Sequence, residues 1–213
     1  MKAGICYVVG AGENYGLDFE PGGDDFVIAV DAGFCFLEEK GVHIDLVIGD
    51  FDTLRYVPQH PNVIALKPEK DDTDMLAAVR EGIRAGYRRF FLYCGTGGRP
   101  EHTMANLQML AGMSRKGIQG FLFGQDSVIT AVTNETLTFP KGTSGYVSVF
   151  SHSEQSAGVY LEGLKYRLED ALLTNDYPLG VSNEFMGEES RIFVRDGTLL
   201  VFFPRGTPLP EHC

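Results

Sequence analysis

The sequence predicts an α/β protein in two parts. An open, mostly parallel α/β sheet domain is expected over residues 1–125, followed by an all-β, sandwich or barrel-like domain over residues 126–213. Two observations predict this. In the first part, short and nearly continuous apolar runs alternate with stretches of helical character, as when strands buried on both faces lie between covering helices. From Ser127 onward the helical stretches stop, and short strand-like runs follow one another with turn residues between them.

The elements follow in order. Candidate strands in the first part are 5–9, 26–30, 46–48, 63–66, 90–93 and 120–123, and candidate helices are 32–40, 73–85 and 104–116. In the middle helix Met75, Leu76, Val79 and Ile83 recur at helical spacing, with Asp71, Asp72 and Thr73 available as N-terminal caps and Gly86 as the stop. In the second part the strands are expected at 128–132, 135–139, 146–151, 158–161, 166–168, 191–194 and 198–203. Asp196-Gly197 between the last two reads as a hairpin turn. The proline-containing tail from Pro204 reads as an irregular ending, and no internal repeat or low-complexity segment is present.

Composition narrows the function classes. Lys and Arg number 18 against 29 Asp and Glu, a net charge of -11, which argues against a nucleic-acid binder with a basic face. No run approaches the roughly 20 apolar residues of a membrane span, and the apolar start carries no cleavage pattern. Cys6, Cys35, Cys94 and Cys213 show no metal-ligand spacing, and three of them lie in or beside apolar runs. They read as small buried hydrophobes of a chain in a reducing cytoplasm.

The run Val47-Ile48-Gly49 ends abruptly at Asp50-Phe51-Asp52-Thr53. In an extended strand Asp50 and Asp52 would aim to one side, where two carboxylates invite a hard cation such as Mg2+. A strand running into an acidic turn is the plainer alternative. Gly10-Ala11-Gly12 with Gly16 imitates a dinucleotide-binding loop, but the third glycine is one place late and no amphipathic helix follows, which argues against nicotinamide binding. The loop still lets a nucleotide approach the backbone.

Two further polar clusters follow predicted strands: Lys67-Pro68-Glu69-Lys70-Asp71-Asp72-Thr73-Asp74, and Gly95-Thr96-Gly97-Gly98-Arg99-Pro100-Glu101-His102. Singly, they read as a helix cap, a flexible turn, a surface cation and a structural histidine. Together, at the carboxyl edge of an open sheet, they combine carboxylates for a cation, basic groups for phosphate and a glycine loop exposing N–H groups, the parts of a phosphoryl-transfer site.

At these residues the chain resembles the thiamine pyrophosphokinase family. Ile48–Thr53, Lys70–Asp74 and Gly95–His102 look like its three signatures; Val30-Asp31-Ala32-Gly33 resembles an upstream element, and Gly180-Val181-Ser182-Asn183-Glu184-Phe185 a Ser-Asn element. Glu101 stands where the family usually has aspartate, and Asp31-Ala32-Gly33 replaces Asp-Gly-Gly. The resemblance implies transfer of diphosphate from ATP to the hydroxyethyl group of thiamine, releasing AMP. It implies Mg2+ on Asp50, Asp52 and Asp74, with Asp71 a ligand or a partner of one. Asp31, Lys70, Thr73, Gly97, Gly98 and Arg99 are implied as the ATP-binding set. Asp71 and His102 are the candidate bases. Ser182 and Asn183 are implied as thiamine contacts, in a homodimer that places the vitamin between the α/β domain of one copy and the β-rich domain of the other. Three alternatives stand beside this reading: a pyrophosphokinase for another alcohol such as a hydroxymethylpterin, a non-catalytic thiamine or nucleotide binder, and a DxD sugar transferase.

Overall fold

The computed structural model describes residues 2–67, 69 and 71–213. It divides into two compact units, Met1–Met109 with Ile118–Gly124, and Leu110–Gly117 with Gln125–Cys213.

The first unit is built on six strands: β1 (Cys6–Val9), β2 (Phe26–Val30), β3 (Leu46–Gly49), β4 (Val63–Ala65), β5 (Arg89–Tyr93) and β6 (Gln119–Phe123). They lie in the order β6-β5-β1-β2-β3-β4, and every pairing is parallel. The sequence shows why: β1 and β3 are buried along their whole length, as strands covered on both faces must be. Three helices accompany them, α1 (Gly33–Lys40), α2 (Asp74–Arg84) and α3 (Pro100–Ser114). Thr73 caps α2 by accepting from Leu76 N–H at 3.2 Å. The third helix starts four residues earlier than its periodicity suggests, because Pro100 suits the first turn, where no N–H is needed.

Aromatic side chains fill part of this unit's core. Phe19, from the irregular segment after β1, stacks on Tyr7 with centroids 4.3 Å apart and tilts against Tyr93 at 4.9 Å, while Tyr93 stacks on Phe123 at 4.5 Å. Two of the four cysteines, Cys6 and Cys94, are buried as expected; Cys35 is exposed on α1 and Cys213 at the tail, and none forms a disulfide.

The second unit is antiparallel. Its strands are β7 (Ser127–Thr133), β8 (Thr136–Phe139), β9 (Ser144–Ser151), β10 (Gln155–Glu162), β11 (Leu168–Thr174), β12 (Gly180–Met186), β13 (Ser190–Asp196), β14 (Thr198–Pro204) and β15 (Glu211–His212). They form two layers, β12-β9-β14-β7 and β11-β10-β13-β8-β15. Phe139 of β8 meets Phe185 of β12 and Phe203 of β14, at 4.9 and 5.2 Å, so the layers share an aromatic core.

Four expectations are corrected here. Asp196-Gly197 is no hairpin: β13 pairs with β10 and β8, whereas β14 pairs with β7 and β9, so the turn carries the chain from one layer to the other. The strand expected at 166–168 instead occupies Leu168–Thr174, where Glu169 and Asp170 sit on an exposed stretch that hides it from hydropathy. Ser182 and Asn183 lie inside strand β12, which is absent from the strands expected from the sequence. The tail is not wholly irregular, since Glu211 and His212 pair with β8. Among the described residues no helix is long and apolar enough to cross a membrane.

Candidate active site

Parallel strands in near-common register bring their carboxyl ends to one edge: Val9 sits beside Ala29 and Tyr93, Val30 beside Ile48, and Gly49 beside Ala65. The segments that leave this edge, after β1, β2, β3 and β5 and into α2, carry the polar clusters, and they line a cleft of about 940 Å³.

Asp31 follows β2 directly. Its backbone is left-handed, φ 48°, and its N–H donates to Ile48 O at 3.1 Å, which turns the side chain toward β3. There its Oδ1 accepts from Phe51 N–H at 3.0 Å. The residue before that turn must be small: a Cβ on Gly49 would fall 2.0 Å from Asp31 Oδ1. Asp50 and Asp74 complete the group, with one carboxylate oxygen from each of the three lying within 4.8 Å of the others.

The electrostatics follow from this crowding. Burial pushes the Asp31 carboxyl up to about 7, opposed by the Phe51 hydrogen bond and reinforced by the Asp74 and Asp50 carboxylates. Three acids held this close suit a divalent cation, which would replace mutual repulsion with attraction.

This trio differs from the pair expected from strand alternation. The strand β3 ends at Gly49, and Phe51 is left-handed at φ 59°, so Asp50 and Asp52 are not i and i+2 of an extended segment. Asp52 lines the cleft and is exposed; its Oδ1 accepts from the Thr53 hydroxyl at 3.0 Å. Asp31, read from the sequence only as a nucleotide contact, takes the third place in the cluster.

The other expected residues are distributed as follows. Thr73 lines the cleft while capping α2, and Asp72, also at the cleft, pairs with Arg80. Asp71 is exposed and does not line the cleft, and Lys70 lies outside the described residues. Gly97, Gly98, Arg99 and His102 all line it. Arg99 Nε donates to Glu101 Oε1 at 2.7 Å, and backbone hydrogen bonding at the helix start, aided by the Arg99 contact, holds the Glu101 carboxyl below its usual range. Asn106, which sequence reasoning missed, is buried in the second turn of α3 and donates from Nδ2 to Gly95 O at 2.7 Å, holding the glycine loop. An amide among apolar helix neighbours was its only signal.

In the second unit, Ser182 is exposed and left-handed at φ 55°, its N–H donating to Ser148 Oγ at 3.0 Å. The register of β12 on β9 shifts between Gly180 and Asn183, a bulge that re-aims the strand. Asn183 is buried. Its Nδ2 donates to Tyr166 O at 2.7 Å, and its Oδ1 accepts from the N–H groups of Tyr166 and Glu184 at 2.9 Å each.

Comparison with known proteins agrees with the geometry. Residues 22–122 match the family model described as thiamin pyrophosphokinase, catalytic domain, and residues 134–199 match thiamin pyrophosphokinase, vitamin B1 binding domain. The thiamine pyrophosphokinase of Bacillus subtilis is 26% identical over 188 residues, covering 82% of this chain and 85% of its own. The crystal structure of thiamin pyrophosphokinase from Geobacillus thermodenitrificans has a TM-score of 0.81 at 26% identity, covering 94% of this chain and 97% of that one. The Candida albicans thiamin pyrophosphokinase shares the fold at 13% identity, with a TM-score of 0.70 over 94% of this chain and 89% of that one. With both family models matched in order along one chain, this protein belongs to the thiamin pyrophosphokinase family of enzymes.

Proposed function

We propose that the chain transfers a diphosphate group from ATP to the hydroxyethyl oxygen of thiamine, giving thiamine diphosphate and AMP. The observation that carries this reading is the convergence of Asp31, Asp50 and Asp74 in a cleft that also holds Gly97, Gly98 and Arg99. All-oxygen donors at this spacing fit Mg2+, and these three carboxylates would hold it. When bound, the ion supplies positive charge against phosphate oxygens as negative charge builds on the departing AMP.

The chain's own residues do the rest. Arg99, its Nε engaged by Glu101, presents the remaining guanidinium N–H groups to phosphate. The glycine loop, fixed by Asn106, allows phosphate to approach backbone N–H groups. The thiamine oxygen bonds to the β-phosphorus, the bond from that phosphorus to the α–β bridging oxygen breaks, and AMP departs with the bridging oxygen. The hydroxyl proton needs an acceptor at the cleft; of the two candidates, His102 lines it and Asp71 does not. Ser182 is the better direct vitamin contact, because the Asn183 amide is engaged with Tyr166 and Glu184. A homodimer and a cytoplasmic location belong to this reading.

Product analysis tests it. Purified protein with ATP, Mg2+ and thiamine should yield AMP and thiamine diphosphate together, and Asp50→Asn should abolish both. ADP with thiamine monophosphate would place attack on the wrong phosphorus and refute the reading.

A further inference from the structure

The segment between β1 and β2 takes no part in the transfer described above, yet it reaches the cleft. Gly10 N–H donates to Tyr93 O at 2.9 Å, Gly12 N–H to Cys94 O at 2.8 Å, and Glu13 N–H to Thr96 O at 3.3 Å, so the segment runs beside the start of the glycine loop. A few residues on, Lys40 donates to the Leu17 carbonyl and Phe19 is locked against Tyr7. A strap held at both ends therefore presents the residues between them in a fixed place. Glu13 is one of these: it is exposed, lines the cleft and lies along Gly97 and Gly98. A Cβ on Gly97 would come within 2.5 Å of Glu13 Cγ, and one on Gly98 within 3.9 Å of Glu13 Oε1.

A carboxylate at the rim of a phosphate site calls for a chemical reason. The Asp31, Asp50 and Asp74 acids would have a cation to share, whereas Glu13 belongs to no such cluster among the described residues. Beside phosphate oxygens its charge would be repulsive. Beside a ribose hydroxyl or a base amino group it is an acceptor, and hydrogen bonds to a charged acceptor are the strong ones. The neighbouring Asn14 lines the same stretch, its Oδ1 accepting from Gly16 N–H at 2.9 Å.

We propose that Glu13 selects the diphosphate donor by its nucleoside, accepting hydrogen bonds from O–H or N–H donors there and turning the triphosphate away toward Arg99 and the carboxylate trio. The inference rests on the ATP reading and adds to it a residue that determines which nucleotide is used and which way round it lies.

Isothermal titration of the full chain with Mg2+ and no thiamine tests it, using ATP, 2′,3′-dideoxy-ATP and inosine triphosphate. The wild type should bind at least one of the two analogues about tenfold more weakly than ATP, the loss expected for one hydrogen bond to a charged group. Glu13→Ala should weaken ATP to the level of that analogue and erase the difference; Glu13→Gln, which keeps the size and one acceptor, should fall between and carries the test if the alanine variant does not fold. Loss at dideoxy-ATP identifies ribose as the donor, and loss at inosine triphosphate identifies the base amino group; either supports the proposal. Equal binding of all three by the wild type, or an equal weakening of all three by both variants, would overturn it and leave Glu13 as a brace for the strap. In a separate titration with thiamine alone, a weakening in both variants while their nucleotide binding stays at the wild-type level would overturn it in favour of the acceptor. If the wild type binds no ATP, the ATP reading falls and this inference with it; if ATP binds and only the ratios fail to move, this inference alone falls.

Discussion

Gly49→Ala adds one methyl group at the point where β3 meets the carboxylate cluster. The new Cβ would stand 2.0 Å from Asp31 Oδ1 and 3.2 Å from Asp31 N, whereas ordinary contact begins near 3.4 Å, so the carboxylate must retreat by about 1.4 Å. The backbone cannot yield easily, because Asp31 N–H is bonded to Ile48 O and Gly49 is paired within the sheet. A misplacement of about 1 Å in a positioning group costs on the order of 100-fold in rate. The variant should therefore lose about two decades of thiamine diphosphate formation at saturating ATP and require more Mg2+ for half-maximal rate. Steady-state assays across a Mg2+ titration, with thermal melting alongside, check this. Pairing the change with Asp31→Asn should give a double variant little worse than either single one, since both act on one group. Wild-type activity in Gly49→Ala, or strictly additive losses in the double variant, would refute the placement of Asp31 in the ion site.

Two more predictions concern stability. Asp31 holds its proton to about 7 in the folded, ion-free chain, while the unfolded chain releases it in the ordinary carboxylate range. Between those values the folded state binds more protons, so stability falls as pH rises, and the penalty is complete above about 7. With chelator present, the melting temperature of Asp31→Asn relative to wild type should therefore climb between pH 4 and pH 7.5; a constant difference across that range would contradict the burial argument. Asn183→Ala strands the backbone groups of Tyr166 and Glu184 that its amide serves, and should cost about 1–3 kcal/mol in denaturant unfolding. A cost under about 0.5 kcal/mol would return Asn183 to the role of a vitamin contact.

How much of this could be read from residues alone varied with the physics involved. The six parallel strands were legible because burial on both faces writes a nearly unbroken apolar run, as in Cys6–Val9 and Leu46–Gly49. The strand β12 was not, since Gly180–Met186 mixes glycine, serine, asparagine and glutamate and is bent by a bulge. Asp196-Gly197 announced a reversal correctly, but a two-residue turn carries no record of which layer each flanking strand joins. At the site, the three polar clusters were visible as composition, while their partnership was not. The choice of Asp31 beside Asp50 and Asp74 depends on two left-handed residues, Asp31 and Phe51; aspartate is among the types enriched in that conformation, but phenylalanine does not advertise it. The end of the strap that carries Glu13 depends on contacts with residues more than 80 positions away, which no local pattern encodes.

The strand order has a consequence for how the chain is made. The strand β1 lies between β2 and β5, so one of its edges is matched early and the other waits for Arg89–Tyr93, about 80 residues later in synthesis. At about 5–20 residues per second, Cys6–Val9 emerges from the ribosome roughly 4–16 seconds before its second neighbour does. Throughout that interval an apolar strand has an open ladder of N–H and C=O groups, the template on which chains pair wrongly. The cleft is built on that same junction of β1 and β5, so it cannot take shape in the nascent chain until the vulnerable edge has closed.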